Sequence, residues 1–314
     1  MTEINKPKTN KYKSYIDFML SQQQWSGITK EDVDNWLNNF KGLNPTEMLL
    51  VYKLLANLIY YSEKDIISAL KEGINNNLFQ NIILQKQKDS CFNLSIQALS
   101  NIVKDELQKS CFTPLLDSGK PHESANYIAR LLVQQGFIDQ KQSLFLADIV
   151  TPIMSGVYTR LVIVDDCIGS GNQLRTFLRE TAKVMVDDVE LNLCDFCKQH
   201  NIIINYLALF GYKKSICELK EEMNDLNIFC VRILTDKHRV FKEGSYIWED
   251  IMELEAAKKL FRNLTDERQI PLLGYKDLDF AFVMHQTMPD WSLPLFWKTN
   301  QDWNLLFRRK NSNA

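Results

Sequence analysis

An excess of either charge is missing from this sequence: 37 Lys and Arg stand against 39 Asp and Glu, for a formal net charge of −2. Such a balance leaves no electrostatic footprint for nucleic acid across the whole chain, so direct nucleic-acid binding is not indicated. The one basic cluster, Arg308-Arg309-Lys310, reads as a solvated tail. Long apolar runs are also missing. No stretch reaches the roughly 18 uncharged apolar residues of a membrane span, and the most apolar helix candidate, Met48 to Tyr61, carries Lys53 and Asn57. The opening residues, Met1 to Pro7, are polar and lack the apolar stretch of a signal peptide. A disulfide framework is not expected either. The seven cysteines are an odd set scattered through apolar segments, which fits reduced thiols. The expectation is a cytoplasmic protein, neither secreted nor membrane-spanning. Histidine is scarce, with four residues far apart and no Ser-His-Asp or His-Glu-x-x-His arrangement.

What is present is an ordinary globular composition, 45% hydrophobic and 24% charged over 314 residues, enough for one large domain or two modest ones. The chain reads in three stretches. Residues 1–108 form a helical region. Tyr12, Tyr15, Ile16 and Met19 recur at helical spacing, as do Val33, Trp36, Leu37 and Phe40. Thr29 with Asp32, Asn44-Pro45 with Glu47, and Ser62 with Asp65 give N-terminal signals for successive helices, and no strand signal appears. Residues 109–240 alternate. Cys111 to Leu115 is a short apolar run, Ser124 to Gln135 a helix, and Arg160 to Val164 a strand with four consecutive aliphatics. Leu174 to Met185 reads as a helix, Ile202 to Phe210 as a strand, Ser215 to Met223 as a helix and Ile228 to Leu234 as a strand. Asp187 to Gln199 reads as an insertion or extra helix. Residues 241–314 hold a helix from Tyr246 to about Asn263, then an aromatic-rich tail, with four tryptophans, Trp248, Trp291, Trp297 and Trp303. The tail is expected to pack on the core. The fold class predicted is α/β: a parallel sheet covered by helices, with a helical N-terminal region and an aromatic C-terminal extension.

Ligands of open parallel sheets sit at the carboxyl ends of strands. After Val164 come Asp165-Asp166, Cys167-Ile168, and Gly169-Ser170-Gly171-Asn172-Gln173, followed by a helix. Adjacent carboxylates at a strand tip accept hydrogen bonds from hydroxyls or help hold a divalent cation. Two glycines and a serine let the backbone curl so that several N–H groups converge, and a helix start adds its positive end. Together these describe a site for a sugar with vicinal hydroxyls and a 5′-phosphate. An acidic strand tip also occurs in response-regulator receivers, and Gly169-x-Gly171 is a partial dinucleotide signature without its third glycine. Cys194, Cys197 and His200 fall on one helix face with no evident fourth ligand, so no metal site is assigned.

The segment is similar to the phosphoribosyl-pyrophosphate (PRPP) loop of type I phosphoribosyltransferases. The resemblance implies that Asp165 and Asp166 are the acidic pair that holds the ribose hydroxyls. It makes Gly169, Ser170, Gly171, Asn172 and Gln173 the 5′-phosphate cradle, and it implies Mg²⁺ accompanying PRPP. Two positions depart from the family pattern: Gly169 replaces a hydroxyl residue, and Gln173 stands where a threonine is usual. In type I enzymes a loop after an early strand holds pyrophosphate. Here Ser118, Gly119 and Lys120 take that place, with Ser124 as a further hydroxyl; the same residues also suit a surface loop with Ser124 as an N-cap. The wider chain resembles phosphoribosyltransferase-like proteins that accompany bacterial conflict and anti-phage systems. That likeness is carried by Asn35 to Phe40, Leu54 to Ser62, the Asp165 to Gly171 segment, Pro271 to Tyr275, Ser292 to Trp297 and Trp303 to Arg308. It implies a phosphoribosyltransferase acting on PRPP, or a non-catalytic module that senses a sugar phosphate and contacts a partner protein or nucleoprotein.

Overall fold

The computed structural model describes residues 5–116, 124–285, 287–300 and 302–308. In chain order the helices are α1 (Asn5–Ser21), α2 (Lys30–Asn38), α3 (Pro45–Ala56), α4 (Glu63–Glu72), α5 (Gln80–Asp89), α6 (Ile96–Gln108), α7 (Ser124–Gln134), α8 (Val150–Met154), α9 (Asn172–Thr176), α10 (Leu193–Gln199), α11 (Lys213–Glu222) and α12 (Ile251–Glu267). The strands are β1 (Ile59–Tyr61), β2 (Ser110–Pro114), β3 (Arg160–Ile168), β4 (Lys183–Val186), β5 (Val189–Asn192), β6 (Ile203–Tyr212), β7 (Leu226–Leu234) and β8 (Phe282–Met284). The chain divides into two compact units, one of residues 1–65 with 234–314 and the other of residues 66–233. These units cut the chain elsewhere than at the expected boundaries of 108 and 240. No helix among the described residues is long and apolar enough to cross a membrane.

The second unit is built on a four-stranded sheet of order β2-β3-β6-β7, in which β2 and β6 both run parallel to β3. Leu161, Val162, Ile163 and Val164 of β3 are all fully buried, as expected for a central parallel strand covered on both faces. Residues 66–108 belong to this unit because they have a place against the sheet. Gly73, which opens a π-turn after α4, lies so near Leu207 and Val231 that a Cβ there would meet them at 3.2 and 3.1 Å. Arg160, at the start of β3, is buried between Glu106 of α6, 3.0 Å away, and the ring of Phe79.

The expected helix over Leu174 to Met185 is corrected. The helical segment begins at Asn172, passes into a π-turn at Phe177–Thr181 and stops; β4 and β5 then form an antiparallel hairpin. Its turn residues, Asp187 and Asp188, both have positive φ, 47° and 65°, as a two-residue turn matched to strand twist requires. The supposed insertion is therefore half of that hairpin followed by α10.

The first unit joins α1 to α3, α12 and the tail in one core. The caps of α2 and α3 form from Thr29 with Asp32 and from Asn44 with Glu47. The region read as helical throughout also contains β1, which pairs in parallel with β8, so a strand too short to carry a periodic signal escapes the sequence reading. Trp36, Phe40, Phe261, Phe296 and Trp303 pack together, and the Trp36 and Trp303 indoles both donate to the Leu295 carbonyl, at 2.9 and 2.8 Å. The aromatic tail thus closes on the N-terminal helices. Trp36→Ala removes a side chain that is 0% exposed together with one of these hydrogen bonds. It is expected to destabilise this unit by about 3–5 kcal/mol in chemical denaturation.

Candidate functional site

Among the described residues, β3 pairs on its β2 side as far as Val164, whose carbonyl accepts from the Leu115 amide at 2.9 Å. On its β6 side the pairing continues to Ile168, opposite Gly211. β3 therefore runs four residues further than the expected strand end, and Asp165 and Asp166 lie inside it rather than at its tip. They follow the last β2 pairing among the described residues, at Val164, while the pairing with β6 continues past them. The chain leaves β2 at Leu115 and returns at α7, which lies against β2 and β3. Ser118, Gly119 and Lys120, expected to hold pyrophosphate, lie outside the described residues. Ser124, the first residue of α7, hydrogen-bonds the Asp166 carboxyl.

Both acids are nearly closed to solvent, Asp165 at 1% and Asp166 at 6% exposure. Asp165 shares the inner face of β3 with Leu161 and Ile163, within an apolar cluster that includes Tyr206 and Ala208 of β6. One carboxyl oxygen of Asp165, Oδ2, accepts from the Tyr206 hydroxyl at 2.7 Å, and the other, Oδ1, accepts from the Asp166 amide at 2.9 Å. Burial, followed by the neighbouring Asp166 charge, raises the Asp165 pKa well above the ordinary carboxylate range, against the opposing pull of the Tyr206 hydrogen bond. Burial also raises Asp166, while hydrogen bonds from Ser124 and from the Cys167 amide pull it down. The Tyr206 phenol is pushed up by burial and by the Asp165 charge.

The glycine-serine bend follows Ile168 directly. Gly171 adopts φ 77° and ψ −1°, and a Cβ on it would meet a Leu219 side-chain carbon at 2.9 Å, so both conformation and space require glycine. Ser170 Oγ accepts from the Asn172 amide at 3.3 Å, which commits one of the expected cradle N–H groups to the bend itself. Arg175 Nη1 donates to the Ser170 carbonyl at 2.9 Å, and the same guanidinium forms a two-pronged ion pair with Glu222 of α11, at 2.6 and 2.9 Å. Arg175 thus braces the carbonyl side of the bend.

The chain matches the PRTase-CE family model over residues 33–309, a span that includes β3, the bend and most of the aromatic tail. The chain belongs to the PRTase-CE family. It is a phosphoribosyltransferase-like protein, with the mixed α/β architecture and parallel sheet of such a core. No curated protein matches it.

Within this PRTase-CE chain the structure brings Asp165, Asp166 and Ser124 together and sets the bend 169–173 immediately after them. Tyr206, Arg175 and Glu222 were missed by the sequence reading. For Tyr206 the available signal was a hydroxyl-bearing residue inside an apolar strand; for Arg175 it was a cation one helical turn after the αL glycine. Cys197 lies in the core of this unit with Cys194 packed against it, and His200 is exposed. Cys197 is fully buried with its thiol pushed up to about 12, and the His200 ring tilts against Phe196.

The raised Asp165 pKa has a consequence for stability. A carboxyl whose folded pKa lies above its unfolded value of about 3.9 binds its proton more tightly in the native state. It therefore favours folding at low pH, and that contribution is lost as pH rises from about 4 through the folded value. Asp165→Asn keeps an oxygen for the Asp166 amide and an NH₂ for Tyr206 and Asp166, without the ionisation. The variant is expected to gain thermal stability relative to wild type as pH rises, with the gap closing toward pH 4, as scanning calorimetry across that range will register.

Proposed function

We propose that this chain is a phosphoribosyltransferase that binds PRPP, or a related ribose 5-phosphate ligand, with Mg²⁺ in the cytoplasm, and that it acts as an effector in bacterial anti-phage defence. The observation that carries the chemistry is the acid pair of β3, tied to Ser124 and followed within three residues by the Gly169-Ser170-Gly171 bend. Carboxyl oxygens on one side suit vicinal hydroxyls, and a braced bend of backbone amides on the other suits a phosphate monoester. The defence role rests on the resemblance of the helical and aromatic segments to proteins of conflict systems. The seven cysteines, all free, fit a reducing compartment.

The reaction is substitution at the anomeric carbon. The bond from that carbon to the diphosphate oxygen breaks, the diphosphate departs with the electron pair, and the acceptor's lone pair forms the new bond while its proton is released. Charge spreads over the ring oxygen and anomeric carbon in the transition state, so positioning and electrostatics dominate. The acid pair binds the ring hydroxyls and favours the developing positive charge. Mg²⁺ would be held chiefly by the ligand's own diphosphate, and would supply charge neutralisation for the leaving group. Ser118, Gly119 and Lys120 complete the proposal as the diphosphate loop.

A second reading is a sensor without turnover that contacts a partner protein or nucleoprotein through its helical region. It is favoured by the missing hydroxyls at Gly169 and Gln173 and by the amide that Ser170 withdraws from the cradle. Radiolabelled PRPP with Mg²⁺ and a panel of nucleobases and nucleotides separates the two. The enzyme reading predicts pyrophosphate release that Asp166→Asn lowers ~10- to 100-fold, the scale of a lost charge-assisted hydrogen bond. Saturable binding without release supports the sensor. If PRPP neither binds nor shifts the melting temperature, both readings fail.

A further inference from the structure

A charged side chain holds the bend from behind. Arg175 Nη1 donates to the Ser170 carbonyl at 2.9 Å and reaches Asn172 Oδ1 at 3.5 Å. Its Nε and Nη2 donate to the two carboxylate oxygens of Glu222, at 2.6 and 2.9 Å. Glu222 lies one helical turn after Leu219, the residue against Gly171. The helix α11 thus supplies an apolar wall and an ionic anchor to one short segment.

This contact sets the direction of an amide as well as a carbonyl. The Ser170–Gly171 peptide is trans, and in a trans peptide the C=O and the following N–H point in opposite directions. With the Ser170 oxygen turned toward Arg175, the Gly171 N–H is turned away from it. Gly171 is buried, and among the described residues no acceptor meets its N–H, whereas the neighbouring Asn172 amide is taken by Ser170 Oγ. A buried amide without a partner is uncommon and calls for an oxygen from outside the protein. Glycine alone does not hold this orientation. A flip of the peptide changes ψ of Ser170 and φ of Gly171, and glycine adopts φ of either sign. The flipped peptide presents a carbonyl oxygen where the N–H stood, and that oxygen repels an anion.

We propose that Arg175, anchored by Glu222, is a positioning residue for the ligand's phosphate: it keeps the Ser170–Gly171 peptide with its N–H toward the phosphate and its oxygen away. This rests on the sugar-phosphate reading of the site. Arg175 acts from the carbonyl side without touching the ligand. Its charge also polarises the peptide it holds, which strengthens the N–H as a donor. Hydroxyls are missing at Gly169 and Gln173, so the phosphate depends on backbone amides and the setting of one peptide counts. The Arg175–Glu222 pair is partly exposed, at 25% and 50%, so solvent screens it and its removal costs the fold little. The loss falls on the bend.

Calorimetric titration of the full chain with ribose 5-phosphate tests the assignment. Arg175→Met is expected to weaken binding ~10-fold and Glu222→Gln ~3-fold, with melting temperatures within about 4 °C of wild type. Because Glu222 acts only through Arg175, the double variant is expected to match Arg175→Met rather than multiply the two losses. Unchanged affinity in Arg175→Met, or multiplied losses in the double variant, overturns the proposal and leaves the sugar-phosphate reading standing. If wild type does not bind ribose 5-phosphate, that reading fails instead. The brace is then decided by a crystal structure of ligand-free Arg175→Met. A Ser170 carbonyl that is flipped, or present in two orientations, sustains it, and a carbonyl unchanged in direction overturns it.

Discussion

Two carboxyl groups taken out of water inside a parallel sheet set the terms for everything around them. An ionised carboxylate moved into the interior without partners costs on the order of several kcal/mol. The sheet accommodates the pair with donors from three elements: the Tyr206 hydroxyl from the next strand, the Asp166 amide from β3 itself, and Ser124 from α7. The pairing pattern explains the position. Among the described residues the β2 pairing ends with Pro114 opposite Val164, while β6 stays paired beside the acids to Ile168.

The bend that follows depends on the same strand. Its αL glycine sits against Leu219 of α11, and Arg175 ties its Ser170 carbonyl to Glu222 on that helix. The helix that packs behind β6 therefore fixes the bend while Tyr206 on β6 fixes the acid pair. One βα unit, Ile203 to Glu222, supports both halves of the site. The core of the other unit, in which the aromatic tail folds onto the N-terminal helices around Leu295, is an independent packing solution.

Much of this was legible in the sequence, and what was not has physical causes. Four buried aliphatics before an Asp-Asp pair, then glycine-serine-glycine, announce a strand and a bend whatever surrounds them. The capping residues Thr29, Asn44 and Ser62 signal locally because their bonds span three residues. The strand's true end at Ile168 was hidden because its last pairings are made with β6, forty residues away. The hairpin at 183–192 was hidden because Asp-Asp is a poor advertisement for a turn that glycine or asparagine usually occupies. Tyr206 could not be assigned a role from sequence, since its meaning lies in a contact across the sheet with Asp165. β1 is three residues long and gains its partner from β8, more than two hundred residues later.

A crystal structure of the protein with ribose 5-phosphate bound tests the central claim most directly. The account predicts the phosphate within about 3 Å of backbone amides in the 169–173 bend, with the sugar hydroxyls reaching the acid pair of β3. A ligand seated elsewhere, or a bend whose amides face the protein interior with the phosphate excluded, contradicts it.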